Sequence, residues 1–346
     1  MQKRYFERFF NQRIVIVGVT GPPWSGLSVH ISRVKDHLVK HNDVSLFDIR
    51  TRQEFLLSAF YQWSLWFRLV WWRPSVILHY TCFAQQDSTE CITIARWKSL
   101  FKAKLIIVEH NQVPHMVYQK KLLEKYKWAI DEWIFIGTKL PVPSVREQIA
   151  ASLVTESEFI PPDLTKATAI IRQYPLCVRT FMKVRSPLLI MSTTDVRPTM
   201  DSSFYGIDHV IAVMNILRLY YAHIGLIWGV GSTTDLVKFS AMVQCILRNG
   251  LDGYVYIFHN EQQLWPLFRE AHLLWWPLST HGSAIEEALL CKTPVVATNA
   301  CARKEGVTTY DAQNAEDCVE KMLALLPRSG RRKNPSRPFE HRVLNI

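Results

Sequence analysis

Short, continuous apolar runs rich in β-branched residues alternate along this chain with segments of helical period, and the series starts twice. The first series reads as a strand at "RIVIVGV" (Arg13–Val19), a helix at "SVHISRVKDHLVKH" (Ser28–His41) and a strand at "DVSLFDI". A helix follows through a stretch holding Trp63, Trp66, Trp71 and Trp72. Strands are expected at "SVILHY" (Ser75–Tyr80), "AKLIIVEH" (Ala103–His110) and "EWIFIGT" (Glu132–Thr138), with a helix between the first two and another from Ser144. "SEFIPPDL" reads as a last short strand. Runs that are apolar throughout, rather than at every second position, predict strands buried on both faces, hence parallel sheet with helical crossovers.

The second series opens at "PLLIMST" (Pro187–Thr193), followed by the helix "GIDHVIAVMNILRLYY" and the strand "IGLIWGV" (Ile224–Val230). It continues with "TTDLVKFSAMVQCILRN" (helix), "GYVYIFH" (strand), "EQQLWPLFREA" (helix) and "HLLWWPL" (strand). A helix at Ser283–Cys291, the strand "TPVVAT" and a helix from Asn314 to Leu326 complete it. A chain of 346 residues is too long for one ordinary core and suits two. The expected architecture is α/β, two Rossmann-like doubly wound parallel sheets: domains at 1–165 and 187–330, a linker at 166–186 and a basic tail at 331–346. In such sheets ligands sit beyond the carboxyl ends of the strands, and two domains can turn those ends toward a shared cleft.

Charge narrows the company the chain keeps. A net charge of +11 implies anionic partners: nucleic acid, anionic lipid or a phosphorylated substrate. Nucleic acid is disfavoured, because no recognised motif occurs and the basic clusters alternate with large apolar residues. In "RWKSLFKAK" (Arg96–Lys104) basic and apolar residues interleave, which fits either a surface helix packed on its own sheet or an interfacial helix on an anionic membrane. The seven cysteines show no CxxC pair or Cys/His ligand cluster, so neither a disulfide framework nor a zinc site is expected, and a reducing, cytoplasmic setting fits. "IVIVGV" is too short for a leader or a span, and Arg68, Arg73 and Pro74 interrupt the tryptophan-rich stretch.

Three strand-to-helix junctions carry candidate chemistry. "GVTGPPWSGLSVH" delivers Gly18, Gly21, Ser25 and Gly26 into a loop before a helix start, where backbone amides can meet an anion. It is neither a GxGxxG fingerprint nor a P-loop. "IIVEHNQ" puts His110 at the carboxyl end of a strand, where an imidazole can bind a hydroxyl or phosphate or act as a base. In "PLSTHGSAIEEALLCKTPVVAT" (Pro277–Thr298) Gly282, Ser283 and Ala284 open a helix able to hold a pyrophosphate, and Glu286 and Glu287 follow. Adjacent helical residues point about 100° apart, so these glutamates are no carboxylate pair; one is a candidate for a ribose hydroxyl and the other a dipole-favouring residue.

These segments resemble the GT-B fold glycosyltransferases, in particular the retaining, nucleotide-sugar-using group 1 or family 4 type. The likeness lies in the Pro-Pro-x-x-Gly loop followed by His30, the strand ending at His110, "FIPP", "YGIDHVI" and above all "EALLCKTPVVAT". It implies a nucleotide diphosphate sugar donor and a glycan or lipid-linked acceptor, in synthesis of cell-surface polysaccharide or lipopolysaccharide. It also implies a cytoplasmic place with peripheral contact at the inner face of the plasma membrane. Glu287 takes the ribose position; Gly282, Ser283, Ala284 and Arg197 face the diphosphate, and Ser192, Thr193 and Gly229 border the nucleotide, with "GVGS" (Gly229–Ser232) as a loop after its strand. Ser25, Gly26 and His110 shape the donor-sugar and acceptor side, so that His110, Glu287 and Arg197 form the catalytic set. No Asp-x-Asp pair occurs, and neither a metal nor another cofactor is implied. The chain departs from the family pattern at Ser279, where a glutamate is usual, at Thr280-His281-Gly282 for Gly-Phe-Gly, and at Tyr205 for a lysine; Lys304 is a nearby substitute cation. Those departures leave a second reading, a catalytically degenerate GT-B binding or scaffold partner of an active transferase.

Overall fold

The computed structural model describes residues 8–18, 26–48, 57–80, 94, 98, 100, 102–109, 127–136, 152–156, 160–196, 207–233, 236–259, 263–277, 283–300, 305–312 and 314–328. By its internal contacts the chain divides after Ile160 into two units. The first contains β1 (Arg13–Gly18), α1 (Gly26–Leu38), β2 (Asp43–Asp48), α2 (Leu57–Trp72), β3 (Val76–His79), β4 (Lys104–Glu109), β5 (Glu132–Ile136) and β6 (Ser152–Glu156). Its sheet runs β2-β1-β3-β4-β5-β6 with every pairing parallel. Alternate residues of each strand feed opposite faces. Ile14, Ile16, Val76, Leu78 and Ile106 meet Ile31, Val34 and Leu38 of α1. Val15, Val17, Ile77, Leu105 and Ile107 meet Leu65 and Leu69 of α2, with Ile94 and Ile130. The apolar spacing of three and four in both helices is what lets each lay one stripe on the sheet.

The second unit contains α3 (Ala167–Gln173), α4 (Leu176–Val184), β7 (Leu188–Val196), α5 (Ile207–Tyr220), β8 (Gly225–Thr233), α6 (Leu236–Arg248), β9 (Val255–His259), α7 (Trp265–Glu270), β10 (Leu273–Trp276), α8 (Ser283–Leu290), β11 (Val295–Thr298), β12 (Val307–Tyr310) and α9 (Ala315–Leu325). Its order is β12-β11-β10-β7-β8-β9, again parallel throughout. The core holds Trp228, Trp265 and Trp275, each at most 2% exposed. Their indole N–H groups donate to Thr193 Oγ1 (3.2 Å), Gln263 Oε1 (2.8 Å) and the Tyr310 hydroxyl (3.3 Å), so burial of these rings leaves no indole donor stranded.

Four expectations are corrected. Residues 166–186 are not a linker: Ala167, Tyr174 and Val178 are buried in the second core, and Tyr174 donates to the Gln263 carbonyl at 2.5 Å. Among the described residues the last strand of the first unit is "SLVTE"; in "SEFIPPDL" residues 157–159 lie outside the described residues and 160–163 run outside any strand. β12, "VTTY", is a strand that the apolar-run criterion passed over. "GVGS" is no loop, because β8 runs on to Thr233 with Gly229 inside it. A Cβ at Gly229 would lie 2.3 Å from Leu264 Cδ1, so this glycine serves close packing of β8 on the start of α7.

The turn after α8 explains its Lys-Thr-Pro. Thr293 N donates to Ala288 O at 2.9 Å and Lys292 N to Leu289 O at 3.0 Å, the paired bonds of a Schellman motif. Lys292 stands in the left-handed region at φ 62°. Buried Thr293 adds a bond from its hydroxyl to the Phe268 carbonyl at 2.5 Å, and Pro294 prevents the helix from continuing. An exposed lysine at this φ is strained where glycine is not, while glycine gains more freedom on unfolding. Lys292→Gly is therefore expected to stabilise the second unit by roughly 0.5–1 kcal/mol and Lys292→Val to destabilise it. Urea unfolding of the full chain checks both signs; an unaltered midpoint in both variants would contradict the assignment.

Candidate nucleotide site

Strand order sets where each sheet can receive a ligand. In the second unit the chain progresses outward from β7 through β8 to β9 and then returns to the other flank of β7 as β10. Connections leaving β7 and β10 therefore depart to opposite sides, and an open α/β sheet offers its crevice at this reversal, beyond the carboxyl ends. The reversal in the first unit lies between β1 and β3.

α8 is the helix that follows β10 at the reversal. It rests on β10, β11 and α7, with Ile285, Glu287 and Ala288 buried. Ser283 is exposed and Ala284 half-buried at the helix start, where the first amides have no intrahelical acceptor. Glu287 lies one turn into the helix, about 6 Å along the axis from Ser283 and on the same side. It is only 6% exposed, while Glu286 is half-buried, so the two glutamates occupy distinct environments. One turn of helix separates Glu287 from the amides of the helix start.

Three other expected contacts in this unit sit inside the sheet. Thr193 is 1% exposed, accepts from the Trp228 indole at 3.2 Å and donates to the Gly229 carbonyl at 3.5 Å. Its hydroxyl ties β7 to β8. Gly229 packs closely against Leu264. Ser192 is half-buried, paired with Gly229 in the same register. β7 ends at Val196, so Arg197 is the next residue, but Arg197, Tyr205, Ser279, His281, Gly282 and Lys304 lie outside the described residues. Among the described residues no group of three or more His, Cys, Asp or Glu side chains could hold a metal ion.

In the first unit β1 ends at Gly18 and α1 begins at Gly26; Ser25 and His110 lie outside the described residues, the latter directly after the end of β4. A Cβ on Gly18 would stand 2.6 Å from Ile31 Cδ1 and 3.0 Å from Tyr80 Cβ, so the glycine permits the approach of α1 to the end of β3. Sequence reasoning passed over two residues here. His79 is fully buried at the last position of β3, and the ring of Tyr80 lies 5.6 Å from that of His30. The available signal was a His-Tyr pair closing an otherwise apolar run, together with buried Ser28 and His30 at the start of α1.

No family model matches the chain, and no curated protein matches it either. Solved structures do. The Anabaena protein Alr3699/HepE in complex with UDP-glucose is 14% identical, with TM-score 0.59 over 91% of this chain and 92% of that one. The UDP-forming α,α-trehalose-phosphate synthase of Burkholderia xenovorans, in complex with glucose-6-phosphate, is 14% identical, with TM-score 0.56 over 93% and 94%. The UDP-GlcNAc 2-epimerase of Methanocaldococcus jannaschii is 12% identical, with TM-score 0.53 over 93% and 95%. The chain thus has a GT-B glycosyltransferase-like fold.

His79 supplies a pH test of the fold beneath the first reversal. Burial lowers its pKa from the ordinary 6.5 to about 3, so the folded ring stays neutral. In the unfolded chain it titrates near its ordinary value, so the unfolded state takes up the proton first as pH falls. The stability is complete above about 6.5 and declines toward about 3, by about 2 kcal/mol at pH 5. Burial lowers the pKa of His209 and His272 too, so part of the slope persists without His79. Urea unfolding at pH 7 and pH 5 is expected to show a shallower loss in His79→Gln than in the wild type, and equal losses would contradict the assignment.

Proposed function

We propose that the chain is a glycosyltransferase that takes a sugar from a uridine diphosphate donor and passes it to a glycan or lipid-linked acceptor. The observation that carries the reading is Glu287, a carboxylate held at 6% exposure on the helix that follows the strand-order reversal of the second sheet. In this reading Glu287 accepts from the ribose hydroxyls, and the opening amides of α8, from Gly282 to Ala284, take the diphosphate. Uridine is the base of choice because UDP appears in the names or bound ligands of all three similar structures.

The chemistry proposed is retaining transfer without an essential metal. The bond from the anomeric carbon to the diphosphate oxygen breaks, and the acceptor oxygen bonds to that carbon on the same face. The departing phosphate takes the acceptor proton. Charge growing on the diphosphate is met by the amides of α8 and by Arg197, which follows β7 directly; His110, directly after β4, serves the donor-sugar and acceptor side. Such donors contribute several kcal/mol of barrier lowering where charge develops. Acceptors of cell-surface polysaccharide or lipopolysaccharide synthesis suit the tryptophan-rich, basic first unit at the cytoplasmic face of a membrane. Ser279 and Tyr205 favour the second reading, a degenerate binding partner that holds nucleotide without turnover.

A melting screen against UDP-, GDP-, ADP-, CMP- and dTDP-sugars, paired with donor hydrolysis, tests this reading. UDP or one UDP-sugar is expected to raise the melting temperature, by about 2.7 kcal/mol of stabilisation at a hundredfold excess over Kd. Glu287→Gln is expected to weaken that binding at least tenfold, about 1.4 kcal/mol. Equal binding by the variant, or no nucleotide bound, contradicts the assignment. Donor turnover to a transferred sugar favours the transferase; binding without any turnover favours the degenerate partner. Conversion of UDP-GlcNAc to a stereoisomer overturns the transferase in favour of epimerisation.

A further inference from the structure

Helix α2 presents apolar residues on two opposite sides, of which one is buried on the sheet. Leu65 and Leu69 are sealed on the sheet at 1% and 2% exposure. On the opposite side Trp63 is 67% exposed, Phe67 60%, Val70 37% and Trp71 81%. At 100° per residue these four fall within an arc of about 100°, centred opposite the two leucines. Phe67 and Trp71 stack with ring planes 11° apart, and Trp63 stands edge-on to Trp66, so the arc is one aromatic ridge. An exposed apolar patch of this kind marks an interaction surface.

Neighbouring segments extend the layer. Ile94 and Ile130 pack on the same sheet face as α2; six residues after the first, Leu100 is 65% exposed, and two before the second, Trp128 is 62% exposed. Lys98 joins these segments by donating to the Ala129 carbonyl at 2.6 Å and pairing with Asp131.

Charge and length select the occupant. From Leu57 to Lys104 the chain carries Arg68, Arg73, Arg96, Lys98, Lys102 and Lys104 against only Asp87 and Glu90, and α2 holds no acid. Asp43, beside the ridge, accepts from the Trp72 indole at 3.1 Å. A second copy of a chain with net charge +11 would set like charge against like. An anionic bilayer complements both the aromatic ridge and the cations. The 16 residues of α2 extend about 24 Å, short of the ~30 Å hydrocarbon layer, and no helix among the described residues is long and apolar enough to cross a membrane.

We propose that this face of the first unit docks on an anionic lipid bilayer with α2 lying in the membrane plane. Trp63, Phe67 and Trp71 enter the boundary between headgroups and acyl chains, and Arg73, Lys102 and Lys104 meet the headgroups. The proposal stands apart from the nucleotide reading, since it concerns the other unit and its test contains no nucleotide.

The test is co-sedimentation of the full chain with phosphatidylcholine vesicles, alone or with phosphatidylglycerol at about one third of the lipid. The wild type is expected to bind the phosphatidylglycerol vesicles, more weakly as salt rises, and the pure phosphatidylcholine vesicles poorly. W63Q/F67Q/W71Q is expected to bind at least tenfold more weakly with an unchanged melting temperature. Should that variant fail to fold, W71Q alone, at the most exposed position, is expected to weaken binding severalfold. L236Q/V237Q, at exposed residues of the second unit, is expected to bind like the wild type. Failure of the wild type to bind, binding undiminished in a folded ridge variant, or a vesicle-free dimer that the ridge substitutions dissociate would each overturn the proposal.

Discussion

Parallel pairing is the constraint on which the rest of this molecule depends. Among the described residues twelve strands lie in two sheets, and every pairing within each sheet is parallel. Consecutive parallel strands cannot be joined by a hairpin, so the chain must cross over a face each time, and helices are the usual crossover. All carboxyl ends in one sheet then share one edge. Where strand order reverses, between β1 and β3 and between β10 and β7, the outgoing segments part. Glu287 gains its interest from this geometry, because an acidic residue elsewhere on a helix of this length would be an ordinary surface charge.

The parts around Glu287 are built for rigidity. Ile285 and Ala288 fasten α8 to the sheet, the Schellman turn at Lys292 ends it, and the Thr293 hydroxyl ties that turn to α7. Pro294 then leads directly into β11. Unlike an exposed side chain, whose rotamer is free, a carboxylate on a helix pinned at both its face and its end keeps its position without the help of a ligand. Such preorganisation lowers the entropy lost on binding.

Much of the fold was legible because the strands are apolar on both faces. β1, β4, β7, β10 and β11 all read directly from their runs of Ile, Val and Leu. The misses have a common cause in edge position and polarity. β12 and β6 are edge strands, and "VTTY" and "SLVTE" carry threonines and a serine where the central strands carry aliphatics. α3 and α4 lie in the stretch expected to be a linker, yet Pro175 is the N-cap of α4 and Tyr174 and Val178 are core residues. For the candidate site, the junction before α8 was legible from small residues ahead of a helical run. The expected strands held Thr193 and Gly229 but stopped short, because the polar residues that carry β7 on to Val196 and β8 on to Thr233 leave no apolar run to follow. His79 went unnoticed because a buried histidine at a strand end leaves no periodic trace.

The central claim is that the start of α8 and Glu287 hold a nucleotide. Amide hydrogen exchange of the full chain, with and without saturating UDP, addresses it most directly, since it reads location rather than activity. The account expects exchange to slow in the first turn and a half of α8, from Ser283 to Glu287. Unchanged exchange there, with slowing confined to the first unit or absent altogether, would contradict it.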